Sequence, residues 1–300
     1  MGASRPRLDI VSFRSPDWEE YELLDSGGGH KLERFGPYSL IRPEPDATWH
    51  PTLPGRTWDA AHAAYRAVGR GGRGRWEFRK PIASPWVMRY KRLRFCVEIR
   101  ASRHLGVFPE HAVHWDWIEG QIGAAGRPIQ VLTLFGYTGL ATLAAAQAGA
   151  GVTHVDASRR AIATARENQA LSGLEDRPIR WIVDDALQFV RREGRRGVRY
   201  DGMIMDPPRF GRGPRGEVWE FFRSFPLLCD ACQTILSDRP LFVLLTAYAR
   251  RASVPDLYRA IKEMMAGYDG NTVAGQLVTV QRSTGRVLPH SLSIRWSASS

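Results

Sequence analysis

Apolar and polar residues change their spacing near residue 105, and the change divides the 300-residue chain into unequal parts. Beyond residue 105, strand-like apolar runs alternate with helix-like stretches. That cadence belongs to a parallel sheet covered by helices on both faces. Strands are predicted at 129–134, 151–156, 179–183, 202–206 and 241–245, and helices at 140–148, 159–171, 186–192, 218–236 and 254–265. Asp or Ser precedes several of these helices, as an N-cap requires. Two alternating runs, 276–280 and 291–296, predict an antiparallel hairpin on the sheet edge.

Upstream, short apolar groups at 21–24, 38–41, 76–78 and 95–99 are separated by Gly-rich punctuation at 26–29 and 69–74, which reads as a small β-rich domain. Residues 60–68 read as one helix. Residues 1–20 mix charge with Pro6, Ser15 and Pro16 without a period and read as an irregular arm. The expected architecture is α/β: a Rossmann-like sheet over 106–300, a smaller N-terminal β-rich domain over 21–105, and the arm.

Composition changes this picture in three places. Mean hydropathy is −0.31, no apolar run approaches the roughly 18 to 20 residues of a membrane span, and residues 1–9 lack a secretory apolar core, so a soluble cytoplasmic protein is expected. Cys96, Cys229 and Cys232 cannot pair completely. Cys229 and Cys232 have metal-ligand spacing but no second Cys/His pair beside them, so they read as core residues and no metal is expected. The net charge of +11 is concentrated, with 13 basic against 3 acidic residues between 56 and 103. Interleaved with Trp58, Tyr65, Trp76, Phe78, Trp86, Tyr90 and Phe95, these charges read either as a solvated face or as a surface that neutralises phosphates and stacks bases. Arg73, Arg75, Arg79 and Lys80 are the candidate contacts; the glycine-rich stretch at 69–75 is either a phosphate grip or a connecting loop without special role.

Candidate chemistry sits at the carboxyl ends of the predicted strands, where open α/β sheets bind nucleotides. The first strand runs into Phe135-Gly136-Tyr137-Thr138-Gly139, whose glycines permit close backbone approach but lack the spacing of a pyrophosphate binder. The second ends at Asp156, where a carboxylate can accept from a ribose diol, or cap the next helix. The third ends in Asp184-Asp185-Ala186, where Asp185 can meet an adenine amino group and the Ala186 amide the ring, with a helix cap again the alternative. The fourth ends in Asp206-Pro207-Pro208-Arg209-Phe210. Its prolines fix φ and remove two amide donors, presenting Asp206 and the backbone carbonyls as rigid acceptors for a substrate amine. Four such motifs at successive strand ends point to methyl transfer from a sulfonium cofactor.

The run LFGYTG, THVDAS, ENQALSGL, VDDALQFVRRE and YDGMIMDPPRF, within 131–210, resembles class I S-adenosylmethionine-dependent methyltransferases related to bacterial 23S rRNA large-subunit cytosine-5 and guanine-N7 enzymes. DSGGGHKLERFG (25–36), GVFPEHAVHWDW (106–117), DPPRFGRGPRGEVWE (206–220) and LLTAYARRAS (244–253) extend the resemblance to a less characterised bacterial subgroup, over most of the chain. It implies S-adenosyl-L-methionine as cofactor, contacted by Phe108, Phe135, Gly136, Thr138, Gly139, Asp156, Asp185, Ala186 and Asp206, with the loop around Phe108 to His111 folding over it. Cytosine-5 relatives attack the ring with cysteine. This chain has none in DPPRF or at Leu245-Thr246-Ala247-Tyr248, which argues against covalent cytosine-5 chemistry.

The expected reaction is methylation of a base nitrogen of RNA, with ribosomal RNA favoured as the partner. Asp206 and the Pro207 carbonyl region orient the nitrogen, Phe210 lines the pocket or stacks on a base, and Arg209 and Tyr248 contact the substrate. Amino-methylating relatives more usually carry an aromatic directly after the two prolines, where this chain has Arg209. A protein or small-molecule methyltransferase would share every cofactor residue, and a non-catalytic RNA-binding factor on the same fold stays open.

Overall fold

The computed structural model describes residues 8–67, 74–249 and 252–299. Strand β1 (Ile10–Arg14) is followed by β2 (Tyr21–Gly27), β3 (His30–Phe35), β4 (Tyr38–Pro43), a one-turn helix α1 (Gly55–Asp59), β5 (Ala63–Ala67), β6 (Gly74–Phe78), β7 (Trp86–Tyr90) and β8 (Leu93–Val97). A 3-10 turn at Pro109–His111 leads into α2 (Ala112–Ala124). Strand and helix then alternate through β9 (Gln130–Leu134), α3 (Leu140–Gln147), β10 (Gly151–Asp156), α4 (Arg159–Leu171), β11 (Ile179–Val183), α5 (Ala186–Arg195) and β12 (Gly202–Met205). A hairpin of β13 (Phe210–Arg212) and β14 (Val218–Glu220) precedes α6 (Phe221–Gln233), β15 (Phe242–Ala247), α7 (Val254–Met264), β16 (Gly270–Val280) and β17 (Val287–Ala298).

The main sheet has the order β1-β16-β17-β15-β12-β9-β10-β11. Strands β15, β12, β9, β10 and β11 run parallel, and β17 is antiparallel to both its neighbours. Every residue of β12 and β15 is buried, as expected for central strands covered on both faces. On one face Ile118 and Ile122 of α2 and Ala145 and Ala146 of α3 pack against Val131, Phe242 and Leu244. On the other, Phe189, Leu228, Leu257 and Ile261 from α5, α6 and α7 cover Leu132, Met203, Val243 and Leu245. The strand order reverses beside β9, so the carboxyl ends of β9, β10 and β12 open into one crevice.

The N-terminal strands form a second sheet, β2-β3-β4-β5-β6, beside the two-stranded β7-β8 ribbon. Two sets of bonds tie this region to the rest. The connection between β16 and β17 reaches back to it: Gln281 Nε2 donates to Asp25 (2.7 Å) and Arg282 pairs with Glu22 (2.8 Å). On α4, buried Asn168 accepts from the Cys96 amide (2.8 Å) and donates to the Thr138 carbonyl (2.9 Å).

Several expectations are corrected. Of the helix expected at 60–68, residue 68 lies outside the described residues and 63–67 are strand β5, because Ala63, Ala64 and Tyr65 are buried between β4 and β6 and sheet packing overrides alanine's helix propensity. The arm contains β1, in which only Phe13 is buried, so no alternation announced it. Its anchors are backbone pairing with β16 and the Arg295 guanidinium lying 4.1 Å from the Phe13 ring centre. The helix expected from 218 begins at Phe221, since Val218–Glu220 pairs with β13. The C-terminal hairpin lies inside the sheet, with β1 outside it as the edge. Among the described residues no helix is long and apolar enough to cross a membrane.

Candidate active site

After β9 the chain makes a tight turn with Phe135 and Tyr137 at φ 58° and 49° and Gly139 at 87°. Left-handed backbone at two non-glycine residues stores strain of a kind that collects at ligand sites. It is held from the next strand: Asp156 accepts from the Tyr137 amide (2.9 Å) and the Ser158 amide (2.8 Å). Gly136 lies against His154, whose ring a Cβ would approach to 2.3 Å. Ser158, not Asp156, caps α4 by accepting from the Ala161 amide, so the Asp156 carboxylate keeps lone pairs to offer. Burial raises its pKa against those two amides. Asp185 does cap α5, accepting from the Gln188 amide (2.9 Å), and burial raises its pKa too. Asp184 is held by Arg192 (2.6 Å) and Arg215 (3.1 Å).

These strand ends open into a cavity of about 740 Å³. Phe135, Tyr137, Asp156, Ala157, Asp184, Asp185 and Ala186 line one part of it, and Phe108, Glu110, Asp206, Pro208, Arg209 and Tyr248 another. Lys31 and Arg42 of the N-terminal sheet, Glu44 just after β4, His104 between β8 and α2, and His290 of β17 line it as well. A second, smaller cavity of about 50 Å³ shares Phe108, Phe135, Tyr137 and Asp206 and adds Gly136, Thr138 and His111.

Asp206 sits where the two cavities meet. Burial pushes its carboxyl up to about 6, and its Oδ1 is buried without a hydrogen-bond partner. The other oxygen is 3.9 Å from His111 Nε2. That nitrogen lies 2.7 Å from the Tyr248 hydroxyl, which donates to Glu110 at 3.2 Å. Burial opposes ionisation of Glu110, yet the positive charge of His290, the Lys31 ammonium and His111 outweighs it and holds the carboxyl down to about 2. His290 itself is pushed down to about 4 by burial. Burial and the Glu110 charge raise Tyr248 well above the usual phenol range, which keeps its proton in place as a donor.

Other expected residues fall elsewhere. Phe210 is 56% exposed and lines neither cavity. Pro207 is buried and does not line it. Thr138 binds the Gly106 carbonyl (2.6 Å), fixing the loop that carries Phe108. Arg75 is exposed and lines neither cavity. Arg79 donates to the carbonyls of Trp58 and Asp59, and Lys80 to that of Ala60. Arg73 lies outside the described residues. The sequence reading missed Lys31, His290 and Trp219, and placed Glu110 only within the 108–111 loop expected over the cofactor. Trp219 packs on Phe135 (ring centres 4.7 Å apart) and donates to the Pro208 carbonyl (2.7 Å), which fixes the β13–β14 hairpin over the crevice. The turn residues of GRGPRGE were its one available signal.

A mixed sheet of this order, with carboxylates closing β10, β11 and β12 around one cavity, defines a Rossmann-like enzyme that binds a nucleoside cofactor. A model of the S-adenosylmethionine-dependent methyltransferase family matches residues 73–236, and the chain belongs to that family. The crystal structure of a SAM-dependent methyltransferase from Agrobacterium tumefaciens is similar over 99% of this chain and 98% of its own, with 44% identity and a TM-score of 0.92. The chain is 33% identical over 125 residues to ribosomal RNA large subunit methyltransferase K/L of Shewanella baltica, covering 41% of this chain and 17% of that protein. It is 29% identical over 133 residues to ribosomal RNA large subunit methyltransferase I of Shewanella amazonensis, 43% of this chain and 32% of the relative.

The cavity fits S-adenosylmethionine in the chemistry of its donors. Asp156 could accept from the ribose diol and Asp185 from the adenine amine, and Asp206 Oδ1 has no partner of its own.

Proposed function

We propose that the protein methylates a nitrogen of an RNA base held at Asp206. The observation that carries this reading is the buried, unpartnered Asp206 oxygen at the junction between the cofactor part of the cavity and the wall formed by Glu110, Tyr248 and His290. A buried acceptor of this kind costs stability unless a ligand satisfies it, and an N–H of the substrate amine is a suitable donor. When bound, S-adenosylmethionine supplies an electrophilic methyl group. The chain's part is to hold the nucleophile in line and exclude water. Asp206 accepts from the amine so that its lone pair faces the methyl; Tyr248 and Glu110 hold His111 beside that carboxylate; Phe108 and Trp219 close the crevice. The RNA substrate is supported by the names of the Shewanella relatives and by the +11 net charge. Soluble cytoplasmic location belongs to the same reading.

Transfer of radiolabelled methyl from S-adenosylmethionine to undermodified total RNA, ribosomal subunits, protein extract and small metabolites tests it. Label is expected in RNA and is lost with Asp206→Ala. Label confined to protein or metabolites would replace the substrate class, and none in any fraction despite tight cofactor binding would favour a non-catalytic RNA-binding role.

A further inference from the structure

The substrate's phosphates need a place to lie, and the cavity interior is a poor one: Glu110, Asp156, Asp184, Asp185 and Asp206 line it, and of its cations Lys31 is already paired with Glu33 and Glu44 and Arg42 with Glu33. A base can enter such a space; its backbone must stay at the rim. The basic stretch at 75–80 does not reach that rim, and two of its cations are engaged with main-chain carbonyls.

The β13–β14 hairpin does reach it. In its register Gly211 faces Trp219, which is buried, so Phe210, Arg212, Val218 and the exposed Glu220, which lies across from Phe210, fall on the opposite, outward face. Phe210 and Val218 are 56% and 58% exposed, and Phe222, at the start of α6, is 48% exposed. Arg209 and Arg212 line the cavity mouth. Among the described residues no carboxylate pairs with either of them, whereas Arg215 is bound to Asp184 and Glu217 and anchors the hairpin tip. The Phe221 amide donates to the Arg209 carbonyl (3.0 Å), which joins the start of α6 to this face.

We infer that this outward face is the track for the single-stranded RNA flanking the target base, with phosphates on Arg209 and Arg212 and a neighbouring base stacked on Phe210. The inference rests on the RNA reading above. Aromatic platforms beside unpaired arginines suit single strands, since every base has a stacking face and every phosphate a charge. An exposed apolar face beside unpaired cations suits such a strand better than an apolar protein surface.

The test is fluorescence anisotropy of a labelled, mixed-sequence single-stranded oligoribonucleotide with the full chain, at salt from about 50 to 200 mM. Arg209→Ala with Arg212→Ala is expected to weaken binding and flatten the log–log salt slope by about 1.4, two phosphates at roughly 0.7 each. Phe210→Ala is expected to weaken it about 10-fold with the slope unchanged, the effect of one lost base stack. S-adenosylmethionine affinity should stay at the wild-type value in each. If these variants bind like wild type, or if only Arg75→Ala with Arg79→Ala loses affinity, the track is elsewhere and the inference fails while the RNA reading stands. If the wild-type chain neither binds nor labels RNA, the RNA reading fails first. Methylation of a protein, abolished by the hairpin variants, would make this face a protein-docking surface and overturn the inference.

Discussion

Asp206 concentrates the chemistry at the residue scale. Burial raises its carboxyl to about 6, so the group takes up a proton as pH falls through that value and loses its role as acceptor. Turnover is expected to fall below about pH 6, read from a pH–rate profile. A raised carboxyl pKa also stabilises the fold at acid pH, and that contribution is lost as pH rises through about 6. Asp206→Asn should therefore stabilise the cofactor-free fold at pH 8 by about 1–2 kcal/mol, less than the full shift because the side chain remains 26% exposed. The gain should shrink toward pH 4. Equal thermal stability at both pH values would mean that the carboxylate is not buried at a cost. This residue was legible in sequence because its acid, two prolines and strand end are contiguous. His111, Tyr248 and Glu110 bear on it through contacts up to 138 positions apart in sequence, which no local pattern encodes; Tyr248 was expected only as a substrate contact, and Glu110 and His111 only as part of the loop over the cofactor.

At the scale of elements, the parallel strands and their helices were readable because burial on both faces writes long apolar runs, and β10, α4 and β11 fall where periodicity placed them. Where tertiary packing decides, the reading failed: β5 carries helix-favouring alanines, and β14 lies in a stretch that merges into α6. The strand ends also act together. Asp156 of β10 holds the strained β9–α3 turn through the Tyr137 amide, so one substitution should disturb both the ribose acceptor and the loop conformation. Asp156→Ala is expected to weaken S-adenosylmethionine binding about 10-fold or more by calorimetry, consistent with loss of charge-assisted hydrogen bonds at roughly 1.5–3 kcal/mol. Unchanged affinity would remove Asp156 from the cofactor site.

Across the whole molecule, the cavity is completed by parts from opposite ends of the chain. Lys31 and Arg42 come from the N-terminal sheet and His290 from β17, and the Asp25–Gln281 and Glu22–Arg282 bonds hold those parts in register. Sequence patterning separated a β-rich region from an α/β region but carried no sign that the first walls the active site of the second. The group Glu110, Tyr248, His290 and Lys31 offers both donors and acceptors, as the edge of a heteroaromatic base requires. The most direct measurement is mass spectrometry of nucleosides from RNA treated with the wild-type chain and S-adenosylmethionine, against the same RNA treated with Asp206→Ala. A base methylated on nitrogen, present only with the wild-type chain, is the predicted result. A 5-methylpyrimidine, a 2′-O-methyl ribose or no methylated nucleoside would contradict amine capture at Asp206.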